Sequence, residues 1–177
     1  MQIRGSYGCA MRFFLAAILW FATVAAAPAK AFPEPSDLYV NDLAGVIGSA
    51  AENRMRTALK RLRADTGVEL TVLTIMTRSA YAPSGSIEAF ATGLFNEWGI
   101  GDSNLNNGIL ILVVTADREM RIELGAGHAA RHDPVAQEII ERFFLPRFRE
   151  GDYSGGIEAG VHEVVIRIAH RLEGEQL

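Results

Sequence analysis

The stretch Ile122–Pro134, "IELGAGHAARHDP", holds the residues whose types and spacing most directly suggest chemistry. Gly125, Gly127 and Ala130 stand in the order G-x-G-x-x-A, one spelling of the loop that cradles a dinucleotide pyrophosphate after a strand. His128 and His132 lie within it, four residues apart, and His162–Glu163 forms an "HE" pair further on. A zincin helix would place a second histidine at position 166, which is Ile166, so that motif is excluded. His128 and His132 precede a helix start at Asp133–Pro134. Their spacing therefore does not put them on one helical face, and a surface role is expected rather than ligation. No G-x-S-x-G occurs, and no serine pairs with a recognisable base. Phosphoryl transfer is left only to a metal with an acidic or water nucleophile.

The cradle reading fails on its surroundings. A dinucleotide loop follows a buried parallel strand, opens a helix inside itself, and is served by an acidic residue about twenty positions on. Here the preceding strand, "EMRIEL", alternates Met120, Ile122 and Leu124 with Glu119, Arg121 and Glu123, as the half-exposed arm of a hairpin does. The helix start lies beyond the motif, and "RFFLPRF" replaces the acidic strand end.

The elements around that stretch read as follows. Ser49 and Glu52 have capping-box spacing ahead of Met55, Ala58, Leu59 and Leu62, and Gly67 marks the helix end. "VELTVLTIM" is a buried strand. A second helix is capped near Ser86 and turns Ile87, Phe90, Leu94, Phe95 and Trp98 inward. "GILILVV" is apolar throughout, as a strand covered on both faces must be, and "TADR" turns it into the hairpin arm. A helix from Pro134 buries Val135, Ile139, Ile140 and Phe143 and ends at Pro146. The last helix carries Ile157, Val161, Val164, Val165, Ile168 and Leu172. Gly155, Gly156 and Gly160 at its start suggest close approach to the sheet. The fold class is α/β, a sandwich on a small mixed sheet.

Antiparallel pairing sets the start of one hairpin arm beside the end of the other. Asn106, Asn107 and Gly108 should then meet Gly125, Gly127 and the loop to Asp133, while Asp117 is a turn residue at the opposite end. Loops rich in Asn, Asp and Gly supply oxygens without bulk, which suits a hard cation such as Ca2+. On spacing alone, tight turns are the simpler reading. Arg142, Arg147 and Arg149 could take an anion, but a solvated, partly salt-bridged face is the expectation.

Residues 1–31 read as an export signal rather than a retained membrane anchor, the apolar run being short for a span: Arg4 and Arg12, an uncharged run "FFLAAILWFATVAAA", then "AKA" with cleavage expected before Phe32. Residues 32–177 are of a length for one domain. Losing Arg4, Arg12 and Lys30 moves the formal net charge from −4 to −7, which argues against nucleic acid. Cys9, the one cysteine, goes with the signal, removing disulfides, thiol catalysis and thiolate metal sites.

"VNDLAGVI", "WGIGDSNLNNGILILVV", "DREMRIELGAG" and "FREGDYSGGIEAGV" occur in that order, and together the chain resembles the TPM domain from about Tyr39 to Leu172. The family takes its name from a thylakoid-lumen acid-phosphatase-like protein, a photosystem II repair protein and a nematode receptor modulator. The resemblance implies a three-layer α/β/α sandwich with an antiparallel hairpin, on the extracytoplasmic side of a membrane. It implies a divalent cation, Ca2+ foremost and Mg2+ next, held by Asp42, Asp102, Asn106, Asn107 and Asp133 around Gly108, Gly125 and Gly127. It also implies either an accessory role beside an envelope or membrane-complex partner, or weak metal-dependent acid phosphatase activity with Asp42 the first catalytic candidate. Relatives often carry a transmembrane helix and a Gly/Ser-rich tail after the domain. With Leu177 the last residue, a periplasmic form without that anchor is expected.

Overall fold

A computed structural model describes residues 31–81, 85–128 and 132–170. The expected export segment up to Lys30, Ala130 of the glycine motif and Leu172 of the last helix lie outside them. Strands form where the apolar runs are densest: β1 (Val40–Asp42), β2 (Leu70–Ile75), β3 (Ile109–Val114) and β4 (Glu119–Leu124). They lie side by side in the order β1-β2-β3-β4, the first three parallel and β4 antiparallel to β3.

Every residue of β2 and β3 is buried, because helices cover both faces. Leu70, Val72, Ile109, Ile111 and Val113 face one core, with α1 (Ser49–Thr66), α3 (His132–Ile139) and α5 (Tyr153–Arg167). Leu73, Ile75, Leu110, Leu112 and Val114 face the other, with α2 (Ile87–Trp98). This is the expected α/β/α sandwich. At the edge, β4 buries Ile122 and leaves its charged alternates half-exposed, as its alternation requires.

Helix ends depart from the pattern in instructive ways. Ser49 is not a cap: α1 is capped by Gly48, and Glu52 reaches Arg56 at 2.6 Å instead of closing a capping box. The entry to α1 is tied by the Asp42 carboxylate and by Ser154, whose Oγ accepts the Gly48 N–H at 3.0 Å. Ser86 does cap α2, accepting from the Ala89 N–H at 3.3 Å. Gly67 ends α1 in the left-handed region, its N–H on Arg63 O at 2.9 Å.

The helix from Pro134 does not stop at Pro146. α3 begins one residue before Asp133, passes through a π-helical turn at Ile140–Phe144, and continues as α4 (Leu145–Arg149). Proline lacks the N–H an α-helix would use, and the wider turn places Pro146 in the first turn of α4, where none is needed. Close approach by the α5 glycines is made to this segment rather than to the sheet. A methyl on Gly156 would crowd the Phe148 ring, and one on Gly160 would overlap Phe144, which is fully buried.

Candidate functional site

The hairpin brings the two predicted loops together. Ile109 stands opposite Leu124, the Gly125 N–H donates to Gly108 O at 2.9 Å, and the Gly127 N–H donates to Asn106 O at 2.9 Å. A side chain at Gly127 would run into the Leu105 and Asn106 carbonyls, so the loops meet only because that residue is glycine. Asn106 itself holds φ +48°, a conformation asparagine tolerates.

The oxygens at this junction are largely engaged within it. Asp102 accepts the N–H groups of Asn104 at 2.8 Å and Leu105 at 3.0 Å, which hold its carboxyl below the usual range. Asn107, buried, accepts from Asp102 N at 3.0 Å and donates to Gly67 O at 3.1 Å. Asp133 is exposed in the first turn of α3. Among the described residues, no group of three or more His, Cys, Asp or Glu side chains is placed to hold a metal.

Asp42 does not join them. It ends β1 level with Thr74, whereas Asn107–Gly108 enter the sheet beyond Leu70 and Ile109. Six residues of strand, roughly 20 Å, separate the two positions. Parallel strands send β1 out at the end opposite to the one where β3 enters. The Asp42 carboxylate accepts from Val46 N at 3.1 Å, Ile47 N at 2.8 Å and the Thr74 hydroxyl. It is a loop clamp.

The histidines correct a second expectation. His128 and His132 are 5% and 2% exposed, not on the surface. Their ring centres are 6.2 Å apart. Burial, with a smaller contribution from His132, lowers the His128 pKa and favours the neutral ring.

At the carboxyl ends of the parallel strands, where open α/β sheets commonly bind ligands, lies a cleft of about 530 Å³. Val113, Val114 and Met120 form its floor; Leu145, Phe148 and Tyr153 form a wall; Arg118 and Arg149 stand at its rim. Phe148 and Tyr153 pack with ring centres 4.8 Å apart. Glu119 also lines the cleft, but Arg78 Nε donates to it at 2.7 Å and offsets its charge. Among the described residues, no carboxylate pairs with Arg118 or Arg149, whereas Arg142 and Arg147 have Glu138 and Asp152.

Arg118 ends the four-residue turn between Val114 and Glu119 at φ +56°, where glycine or asparagine would sit without strain. Asp117 fixes that turn, accepting from Thr77 Oγ1 at 2.9 Å and Arg78 N at 3.0 Å. The spacing of "TADR" marks only a turn. Its place at the ligand end follows once β3 is recognised as the third parallel strand.

Fold and cleft together define a three-layer α/β/α domain with a cationic, apolar-floored site beyond its parallel strands. The chain belongs to the TPM domain family, whose pattern it matches over residues 40–166. It is similar to the N-terminal domain of a P. gingivalis protein solved by NMR, at 31% identity and TM-score 0.63, over 76% of this chain and 83% of that one. The N-terminal domain of the cg2496 protein of Corynebacterium glutamicum shares the fold at 16% identity and TM-score 0.56, over 76% and 82%. BA42 from Bizionia argentinensis does so at 19% and 0.53, over 68% and 79%. No protein of curated function matches the chain. No described helix is long and apolar enough to cross a membrane.

Proposed function

We propose that this TPM-domain chain works, after export, as a binding module of the cell envelope. Its cleft takes an anionic group carried on an apolar body, such as an acidic segment of an envelope partner. The observation that carries this reading is the pair of arginines, without carboxylate partners among the described residues, above an aromatic and aliphatic floor. Guanidinium groups bind carboxylate and phosphate through charge-assisted hydrogen bonds, and Arg118 holds a left-handed backbone conformation of the kind that clusters at binding sites.

Phenyl phosphate combines both features and tests the alternative of a weak phosphatase in the same tube. Calorimetry is expected to show saturable binding, weakened about tenfold or more in Arg149→Ala, with no phosphate released. Release of phosphate that vanishes in Arg149→Ala would instead make the cleft a phosphatase site. No binding to the unaltered chain would remove the reading.

A divalent cation, Ca2+ or Mg2+, is a second reading for the opposite end of the sheet. It is favoured by the junction of Asp102, Asn106 and Asn107 with the Gly125–Gly127 loop. Millimolar Ca2+ should then raise Tm, and Asp102→Ala should abolish the rise.

A further inference from the structure

β4 ends the sheet, and the parity of its backbone bonds decides which groups it offers at that edge. The Gly125 N–H donates to Gly108 O, and bonded and unbonded pairs alternate along an antiparallel ladder. Glu119, Arg121 and Glu123 therefore turn their N–H and C=O groups to β3. Those of Met120, Ile122 and Leu124 point away from the sheet, and among the described residues nothing pairs with them. Open edges are commonly guarded by a proline, a lysine or a bulge that stops another strand from adding. "EMRIEL" has no proline or lysine, and it pairs with β3 residue for residue.

We propose that two copies of this chain join edge to edge through β4, antiparallel about a twofold axis at Ile122. Outward-pointing residues must meet outward-pointing ones, so the axis falls on a residue and never between two. The charges choose which residue. An axis at Arg121 sets Arg121 against itself and Glu119 against Glu123, and an axis at Glu123 sets Glu123 against itself. Like charges directly opposite one another destabilise paired strands. An axis at Met120 or Leu124 runs half of each strand past the end of the other. At Ile122, Arg121 of each copy stands opposite Glu123 of the other, Met120 faces Leu124, and Ile122 faces its own counterpart.

The charged pair is already set in place within each chain. Thr92 of α2 donates its hydroxyl to Glu123 at 2.6 Å, and Arg121 Nε donates to the other carboxylate oxygen at 3.1 Å. Arg121 keeps 38% of its side chain exposed. Across the axis the charges alternate in sign, and Arg121 and Glu123 fall at unbonded positions, where opposed side chains come closest. The sheets of the two copies, four strands in each, become one of eight. Because the copies run antiparallel, their two clefts open at opposite ends of that sheet, which makes the pair a two-ended binder.

Sedimentation equilibrium of the purified chain should show its mass doubling as concentration rises. Arg121→Glu and Glu123→Arg should each weaken that association about tenfold or more, since either swap sets like charges opposite one another twice. Mixed in equal amounts, the two variants complement each other, and association should return between unlike chains only. Amide exchange of the unaltered chain gives a readout that needs no variant to fold. The Met120, Ile122 and Leu124 amides should slow as concentration rises, while those of Arg121 and Glu123 stay slow throughout. A single mass and unchanged exchange up to millimolar chain, or a doubled mass that neither swap weakens, would overturn the interface. Variants that keep the native amide spectrum yet fail to associate on mixing would overturn the axis at Ile122.

Discussion

Two charged residues show how differently a side chain can use its position. Asp42 clamps the β1–α1 loop through Val46, Ile47 and Thr74. Asp42→Ala leaves those groups unmet, and denaturant unfolding should show a loss of about 1–3 kcal/mol with cleft binding retained. Arg118 is the reverse case. Its side chain has no carboxylate partner among the described residues and its backbone sits at φ +56°, so Arg118→Gly should leave stability unchanged or raise it by about 0.5–1 kcal/mol. The same variant should bind phenyl phosphate about tenfold or more weakly. A destabilised Arg118→Gly with binding intact would assign the residue to the fold instead.

At the scale of elements, the legible features were those set by local pattern. The two-faced burial of β3, the alternation of β4 and the pairing of Asn106–Gly108 with Gly125 all follow from runs of side chains and from antiparallel geometry. Long-range placement was less legible. Resemblance groups Asp42 with Asn107, although parallel strands send them to opposite ends. His128 and His132 read as loop residues because the packing that buries them comes from other elements. The π turn at Ile140–Phe144 has no periodic signature beyond Pro146, yet it aims Phe144 at Gly160. That contact is testable: Gly160→Ala overlaps a ring with no room to retreat, and should cost about 1–3 kcal/mol by chemical unfolding. Gain of stability from the added helix propensity would show that α5 and the π turn are loosely packed.

For the whole molecule, acid should act in two stages. The His128 pKa is lowered by burial, so the unfolded chain takes up that proton first. Its contribution to stability is complete above about pH 6.5 and is lost as pH falls through the lower folded value. A second loss begins near pH 4. The Arg167 and Arg142 bonds to Glu138, and the Arg54 bond to Glu158, hold those carboxyls below their ordinary range. Urea midpoints from pH 8 to 3 should show both, and His128→Gln should flatten only the first. The direct test of where this domain binds is an amide NMR titration with phenyl phosphate. Saturable shifts at Arg118, Arg149, Phe148 and Tyr153, absent in Arg118→Gly, are the expected result. Shifts centred on Asn106, Gly125 and Gly127, with the cleft unmoved, would contradict it.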